Sequence, residues 1–321
     1  MKSARNVLRH CYEYLPQRLH TEWPDCTLLT AETSLKICLR CSAKWASRSW
    51  QCPSCGSVPQ QVAGVPAFSP KLAKVNIGFE PRFFSELASI EAGNFWFRSR
   101  NRLISWALQR YFPDARNFLE IGCGTGFVLS GIEQTLPHLE LFGSEIFASG
   151  LMVAAKRLKS TILFQMDARN IPFENEFNVI GAFDVLEHIE EDELVLSQMH
   201  NAVSRGGGIM LTVPQHPRLW SCQDKSSCHV RRYTARELKN KTRKAGFKVV
   251  RTTSFVFLLL PLMVASRIRM QKREDFDDME LRISGATNML LEKVLDAERA
   301  LIRWGVRLPA GGSLLLIATK C

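Results

Sequence analysis

Apolar residues recur at helical spacing in PRFFSELASIEA and again in NFWFRSRNRLISWALQRYF, which predicts two helices leading into a core from Pro81 onward. The pattern then shortens. FLEI, from Phe118 to Ile121, has the length and character of a buried strand, and Gly122, Gly124 and Gly126 follow it as a turn that opens a helix. Glycines suit such a turn because the backbone can approach a ligand closely while the helix's first amides point at a negative group. Further apolar strands are expected in ELFGSEI, ending on Glu145, and in ILFQMDA, ending on Asp167 and Ala168. A fourth, FNVIGAFDV, leaves Phe183 and Asp184 at its carboxyl end, where ligands sit in open α/β sheets. GGGIMLTVP is read as the fifth strand, FKVVRTTSFV as the sixth and GGSLLLIAT as the last. Between the fifth and sixth, Thr234 and Glu237 have the spacing of a helix cap and Gly246 that of a helix stop. About 257–308 the chain inserts helices with apolar faces, a candidate cap over the substrate side.

Composition adds limits. The chain has 321 residues, 46% of them apolar, enough for two domains or for one with additions. No apolar run reaches the roughly 20 residues of a membrane span, and the basic N-terminus lacks the apolar centre of a secretory signal. Ten cysteines then point to thiols or metal in a reducing compartment, and we expect a cytoplasmic protein. Four of them, Cys38, Cys41, Cys52 and Cys55, form two CxxC pairs joined by a short connector, the spacing of a zinc ribbon. Four thiolates leave no open position, so the ion would be structural. The expected organisation is a tail with the ribbon over 1–62, a linker over 63–80 and a catalytic domain over 81–321.

The strand ends and the glycine turn together resemble the class I S-adenosylmethionine-dependent methyltransferases. The resemblance implies a Rossmann-like sheet with helices on both faces and an antiparallel last pair of strands. It implies that Glu120, Gly122, Gly124 and Gly126 hold the methionine end of the cofactor, Glu145 the ribose, and Asp167 and Ala168 the adenine. A dinucleotide fold is disfavoured, since the turn runs GxGxG and not GxGxxG.

The acceptor is less legible. The net charge is +11, and the segment 218–251 alone holds eleven Lys and Arg against two acids. Within it Arg231, Arg232 and Tyr233 follow the fifth strand, where this fold places substrate contacts, and paired guanidiniums suit an anionic group. A small-molecule or lipid-linked acceptor carrying an anion is therefore expected. If its nucleophile is a hydroxyl a base is needed, and His188 is the first candidate, with His216 and His229 next. Asp184, Glu187 and His188 are also similar to the acidic and His cluster of ubiquinone-pathway O-methyltransferases, where a divalent ion is implied; Asp184 departs from that pattern, and the ion is not carried over. Some ribosomal RNA methyltransferases carry a zinc ribbon before the same fold, which keeps RNA as the alternative acceptor; a non-catalytic cofactor-binding protein is the third reading. The apolar run from Phe255 to Ala265, followed by basic residues, is either a buried strand end with a cap helix or an element touching a membrane surface.

Overall fold

The computed structural model describes residues 35–47, 49–73, 81–270 and 283–321. The expected N-terminal tail, the end of the linker, and the middle of the helical insertion with its Lys272 and Arg273 lie outside these residues.

The first elements are short: β1 (Leu35–Ile37), β2 (Lys44–Trp45), β3 (Gln60–Val62) and β4 (Val65–Ala67). Two helices, α1 (Pro81–Ile90) and α2 (Phe95–Tyr111), follow, and the Asn94 side chain caps α2 by accepting from the Trp96 amide at 2.9 Å. The alternating part runs β5 (Asn117–Ile121), α3 (Phe127–Thr135), β6 (Glu140–Glu145), α4 (Ala148–Arg157), β7 (Ile162–Gln165), β8 (Phe173–Glu174) and β9 (Phe177–Phe183). Then come α5 (Asp192–Ala202), β10 (Val203–Pro214), α6 (Cys222–Ser226), α7 (Ala235–Lys244) and β11 (Lys248–Phe255). The chain closes with α8 (Leu260–Met270), α9 (Gly285–Arg303) and β12 (Ser313–Thr319).

Among the described residues, nine strands make one sheet in the order β11-β12-β10-β9-β5-β6-β7-β4-β3. β5 runs parallel to both β6 and β9, which is why it is apolar on both faces, with Phe118 and Leu119 fully buried. β12 lies antiparallel between β10 and β11, as the sequence led us to expect. The strand order reverses at β5 and β9, and a crevice opens there at the carboxyl ends.

The N-terminal elements are built into this sheet's far edge. Part of the segment read as a linker is strand: Ala67 of β4 pairs in parallel with Gln165 of β7, and the β3–β4 hairpin extends the sheet. β1 and β2 form a second, small sheet with β8. Trp50 seats the cysteine module on the core, with its ring centroid 5.4 Å from Phe68, 6.3 Å from Phe164 and 6.1 Å from Phe173. Such aromatic contacts contribute beyond area burial, on the order of 1 kcal/mol each.

The described parts of the C-terminal insertion are helices α8 and α9, and α9 is tied down by charge. Glu292 of α9 accepts from Arg102 at 2.7 Å and pairs with Arg98, both on α2. Pro261 stands in the first turn of α8, where its missing amide costs no helical bond. Phe255 and Val256 are buried, whereas Leu258 and Leu262 are exposed. Among the described residues no helix is long and apolar enough to cross a membrane.

Candidate active site

The turn after β5 has the shape its glycines predict. Gly122 has φ +66°, and a Cβ there would lie 2.6 Å from Cγ2 of Val185. Gly126 has φ +74° at the start of α3 and packs against Leu158, so it supports the turn from behind and does not line the cleft. The other expected cofactor residues, Glu120, Gly122, Gly124, Glu145, Asp167, Ala168, Phe183 and Asp184, all face one continuous cleft of about 1660 Å³. A site for one small ligand is usually about 300–1000 Å³, so this cleft has room for a cofactor and an acceptor together.

Glu145 is held by three amides. Its Oε2 accepts from Gly124 at 3.0 Å, and its Oε1 from Ile146 at 2.8 Å and Phe147 at 3.1 Å. Burial pushes its carboxyl up, and the amides of Phe147, Gly124 and Ile146 work against that shift. Glu120 is also buried, and its Oε2 has no hydrogen-bond partner among the described residues. Burial drives its carboxyl well up, with the charge of Arg100 opposing. Both oxygens of Asp167 are engaged by the Arg169 guanidinium, at 3.0 and 2.9 Å.

At the end of β9, Asp184 has φ +58° and forms an ion pair with Arg100, whose guanidinium lies 4.6 Å from the Trp96 ring centroid. Backbone in this region is strained for a residue with a side chain and is held there by its surroundings. Nothing in the sequence singled out Arg100. On an arginine-rich helix it resembles any solvated charge.

The acceptor half brings together His188, Glu187 and His229. The rings of His188 and His229 meet edge to face with centroids 4.8 Å apart. Burial, followed by the proximity of His229, lowers the His188 pKa to about 4, so the ring is neutral at physiological pH. His229 sets its Nδ1 2.9 Å from Oδ1 of Asp224, which is buried and also binds Arg232. Burial would raise the Asp224 carboxyl, but His229, Arg232 and the Ser221 amide together hold it far below the usual range. His216, the remaining histidine candidate, has φ +63° and is not part of this group.

The three expected acceptor residues are placed differently. Tyr233 is fully buried, donating to the carbonyl of Leu186 at 3.2 Å and to Asp192. Arg231 pairs with Asp192 at 2.7 Å, and Arg232 with Asp224 at 2.7 Å. Only Arg232 of the three touches the cleft. Both guanidiniums of the pair are thus engaged by acids of the same chain. The cleft lining carries ten carboxyl side chains against four guanidiniums, and Arg100, Arg169 and Arg232 are already paired with acids.

In the N-terminal module, Cys38 and Cys55 have their sulfurs 3.7 Å apart, as have Cys41 and Cys52. A tetrahedron of zinc–sulfur bonds of about 2.3 Å has edges of about 3.8 Å. The two knuckles repeat each other: the Ser42 amide bonds the Cys38 carbonyl at 2.8 Å and the Gly56 amide the Cys52 carbonyl at 2.9 Å, both with positive φ. Burial opposes ionisation of Cys38, yet the amides of Cys41 and Arg40 outweigh it and bring the thiol down to about 6.

Comparison with known proteins bears on the class of domain. The family model described as a methyltransferase domain matches residues 94–252. Those residues form a methyltransferase domain of the class I S-adenosylmethionine-dependent type. Among solved structures, the chain is similar to phosphoethanolamine N-methyltransferase 2 of Haemonchus contortus in complex with S-adenosyl-L-methionine, with TM-score 0.52 and 17% identity over 80% of this chain. It spans 60% of that protein's length. A possible histamine N-methyltransferase from Thermotoga maritima aligns with TM-score 0.46 and 17% identity, over 75% of this chain and 97% of that one. No curated protein matches the sequence.

Proposed function

We propose that the protein transfers a methyl group from S-adenosylmethionine to a small-molecule acceptor, free or lipid-linked, enclosed between the sheet and the α8–α9 cap. The observation that carries this is the single cleft, which runs from the glycine turn to Leu262, Met263 and Arg267 of α8 and Thr287 and Leu291 of α9. A roofed cleft suits a molecule small enough to be covered better than it suits an RNA strand. Lys241 and Lys244 on basic helix α7 pair with Asp192 and Glu193. Arg267 also lines the cleft and donates to Ser221.

The residues present fit the cofactor. Glu120 offers an unpartnered buried oxygen to an ammonium, Gly122 and Gly124 line the cleft with positive φ, and Glu145 is oriented by three amides with lone pairs left for a diol. When bound, the sulfonium supplies an activated methyl group. The chain's own contribution is to hold the acceptor against it and exclude water, and orientation of this kind can remove about 7–11 kcal/mol of barrier. The four cysteines would hold a structural zinc ion.

Two measurements test the reading. Calorimetry should show cofactor affinity falling at least tenfold in Glu145→Ala, in line with about 1.5–3 kcal/mol for a hydrogen bond to a charged group. Cell extract incubated with methyl-labelled cofactor should yield label in the small-molecule or lipid fraction. Label confined to RNA would overturn the choice of acceptor.

A further inference from the structure

Helix α9 turns an apolar side away from the protein. At about 3.6 residues per turn, Ala286, Leu290, Lys293, Ala297, Leu301 and Trp304 share an arc of about 80°, on the far side from the buried Leu295, Glu298 and Ile302. All but Lys293 are apolar. Leu290 is 65% exposed and Trp304 82%, with Met289 beside the arc. The acids of this helix are engaged inward instead: Glu292 pairs with Arg98 and Arg102 of α2, Asp296 with Arg102, and Glu298 accepts from the amides of Val256 and Leu258. A helix facing water normally shows the reverse. Six of the twelve large apolar side chains exposed among the described residues lie between Leu258 and Val306, so this exposure is concentrated on the cap.

The charge around that arc has one sign. Lys293, Arg303 and Arg307 are exposed and pair with no acid among the described residues. From Arg299 to Cys321 the sequence holds no Asp or Glu at all. An apolar stripe carrying a tryptophan, flanked by cations, is what a helix lying in a membrane interface presents: the apolar side chains enter the acyl boundary and the cations meet anionic headgroups. A second copy of this chain fits less well, because a two-fold contact sets the patch against itself, cations included, with no acid to answer them.

We propose that the outer face of α9 seats the protein on an anionic bilayer, so that a lipid-linked acceptor enters the cleft from the membrane. The proposal rests on the small-molecule reading above and takes its lipid-linked branch. Cleft and outer face meet on this helix: Thr287 and Leu291 line the cleft, and Leu290 between them is exposed. Leu262 of α8, 58% exposed, lines the cleft as well. An acceptor carried on an acyl chain would thus meet apolar side chains on both cap helices as it enters. The face lies on α9, beyond the run from Phe255 to Ala265 that the sequence offered; of that run, Phe255 and Val256 are buried.

The full-length protein, mixed with phosphatidylcholine vesicles with or without phosphatidylglycerol, tests this. It should cosediment with the anionic vesicles at low salt, stay in solution with phosphatidylcholine alone, and come off as added salt screens the cations. Replacing Arg303 and Arg307 together with Gln should weaken binding about tenfold or more, and Leu290→Ser should weaken it as far. The blue shift of tryptophan emission on adding vesicles should disappear in Trp304→Phe. Each variant should keep its affinity for S-adenosylhomocysteine in calorimetry, which separates lost docking from misfolding. No cosedimentation at low salt, equal binding to both vesicle types, or unchanged binding by the variants would overturn the proposal. So would a dimer in sedimentation that Leu290→Ser abolishes, since a second copy would then cover the face. Vesicle binding is read without acceptor, so its failure leaves the small-molecule reading standing. Vesicle binding with methyl label confined to water-soluble products would overturn entry from the membrane.

Discussion

Gln165 and Ser69 bind each other twice: the Gln165 amide donates to the Ser69 carbonyl and its oxygen accepts from the Ser69 amide, both at 2.9 Å. Gln165 also donates to the carbonyl of Ile146, the residue after Glu145. One fully buried side chain thus joins the N-terminal segment, the sheet edge and the cofactor loop. Replacing it with Leu strands three backbone groups, and we expect a loss of about 1–3 kcal/mol. Urea denaturation would show it, and calorimetry would show weaker cofactor binding. An unchanged midpoint would mean the seam carries no stability.

The glycine turn gives a sharper test. Gly122→Ala adds a methyl group 2.6 Å from Val185 in backbone that L-residues rarely adopt. Cofactor affinity should fall by more than tenfold, with a stability loss of order 1–3 kcal/mol. An alanine variant that binds cofactor normally would show that Val185 and the turn yield easily.

Replacing Cys52 and Cys55 with Ser should abolish metal binding, read by elemental analysis of protein purified without chelator. Metal ligation supplies folding energy on the order of 10 kcal/mol in such modules, so the module should loosen. Trp50, packed on Phe68, Phe164 and Phe173, would then move toward water and its emission to longer wavelength.

Glu187 makes the ligand-free enzyme less stable as pH rises. Its folded-state pKa lies above its unfolded value of about 4.3, so folding favours the protonated form, and stability declines from that pH upward. Glu187→Gln should therefore melt higher than wild type at pH 7, by about 2 °C or more, and the difference should close below about pH 4. A variant that melts lower at pH 7 would show that the carboxylate has a stabilising partner.

Much of this site was legible because strand ends are local features. FLEIGCGTGF carries its own strand, turn and helix start, and Glu145 and Asp167 close apolar runs that any parallel strand would show. One pairing of the HVRRY segment is long-range. HVRRY looked like a display of cations because Asp192, which absorbs Arg231, lies far away in the chain, and nothing in a linear charge count reveals the match. β1, β4 and β8 are two or three residues long, too short to show a period, so neither the sheet's extra edge nor the docking of the cysteine module could be anticipated. His229 was legible as a histidine near the variable loop. Its partnership with Asp224 needed the fold.

The seam at Ser69 and Gln165 joins residues 96 apart in the chain. During synthesis the cysteine module leaves the ribosome well before strand β7 exists, so it has no docking surface when it first emerges. The four thiols are therefore exposed to the cell's metal pool for several seconds at ordinary elongation rates of about 5–20 residues per second. In that order of events the four thiols meet the metal pool first, and the seam between Ser69 and Gln165 closes only after strand β7 has emerged.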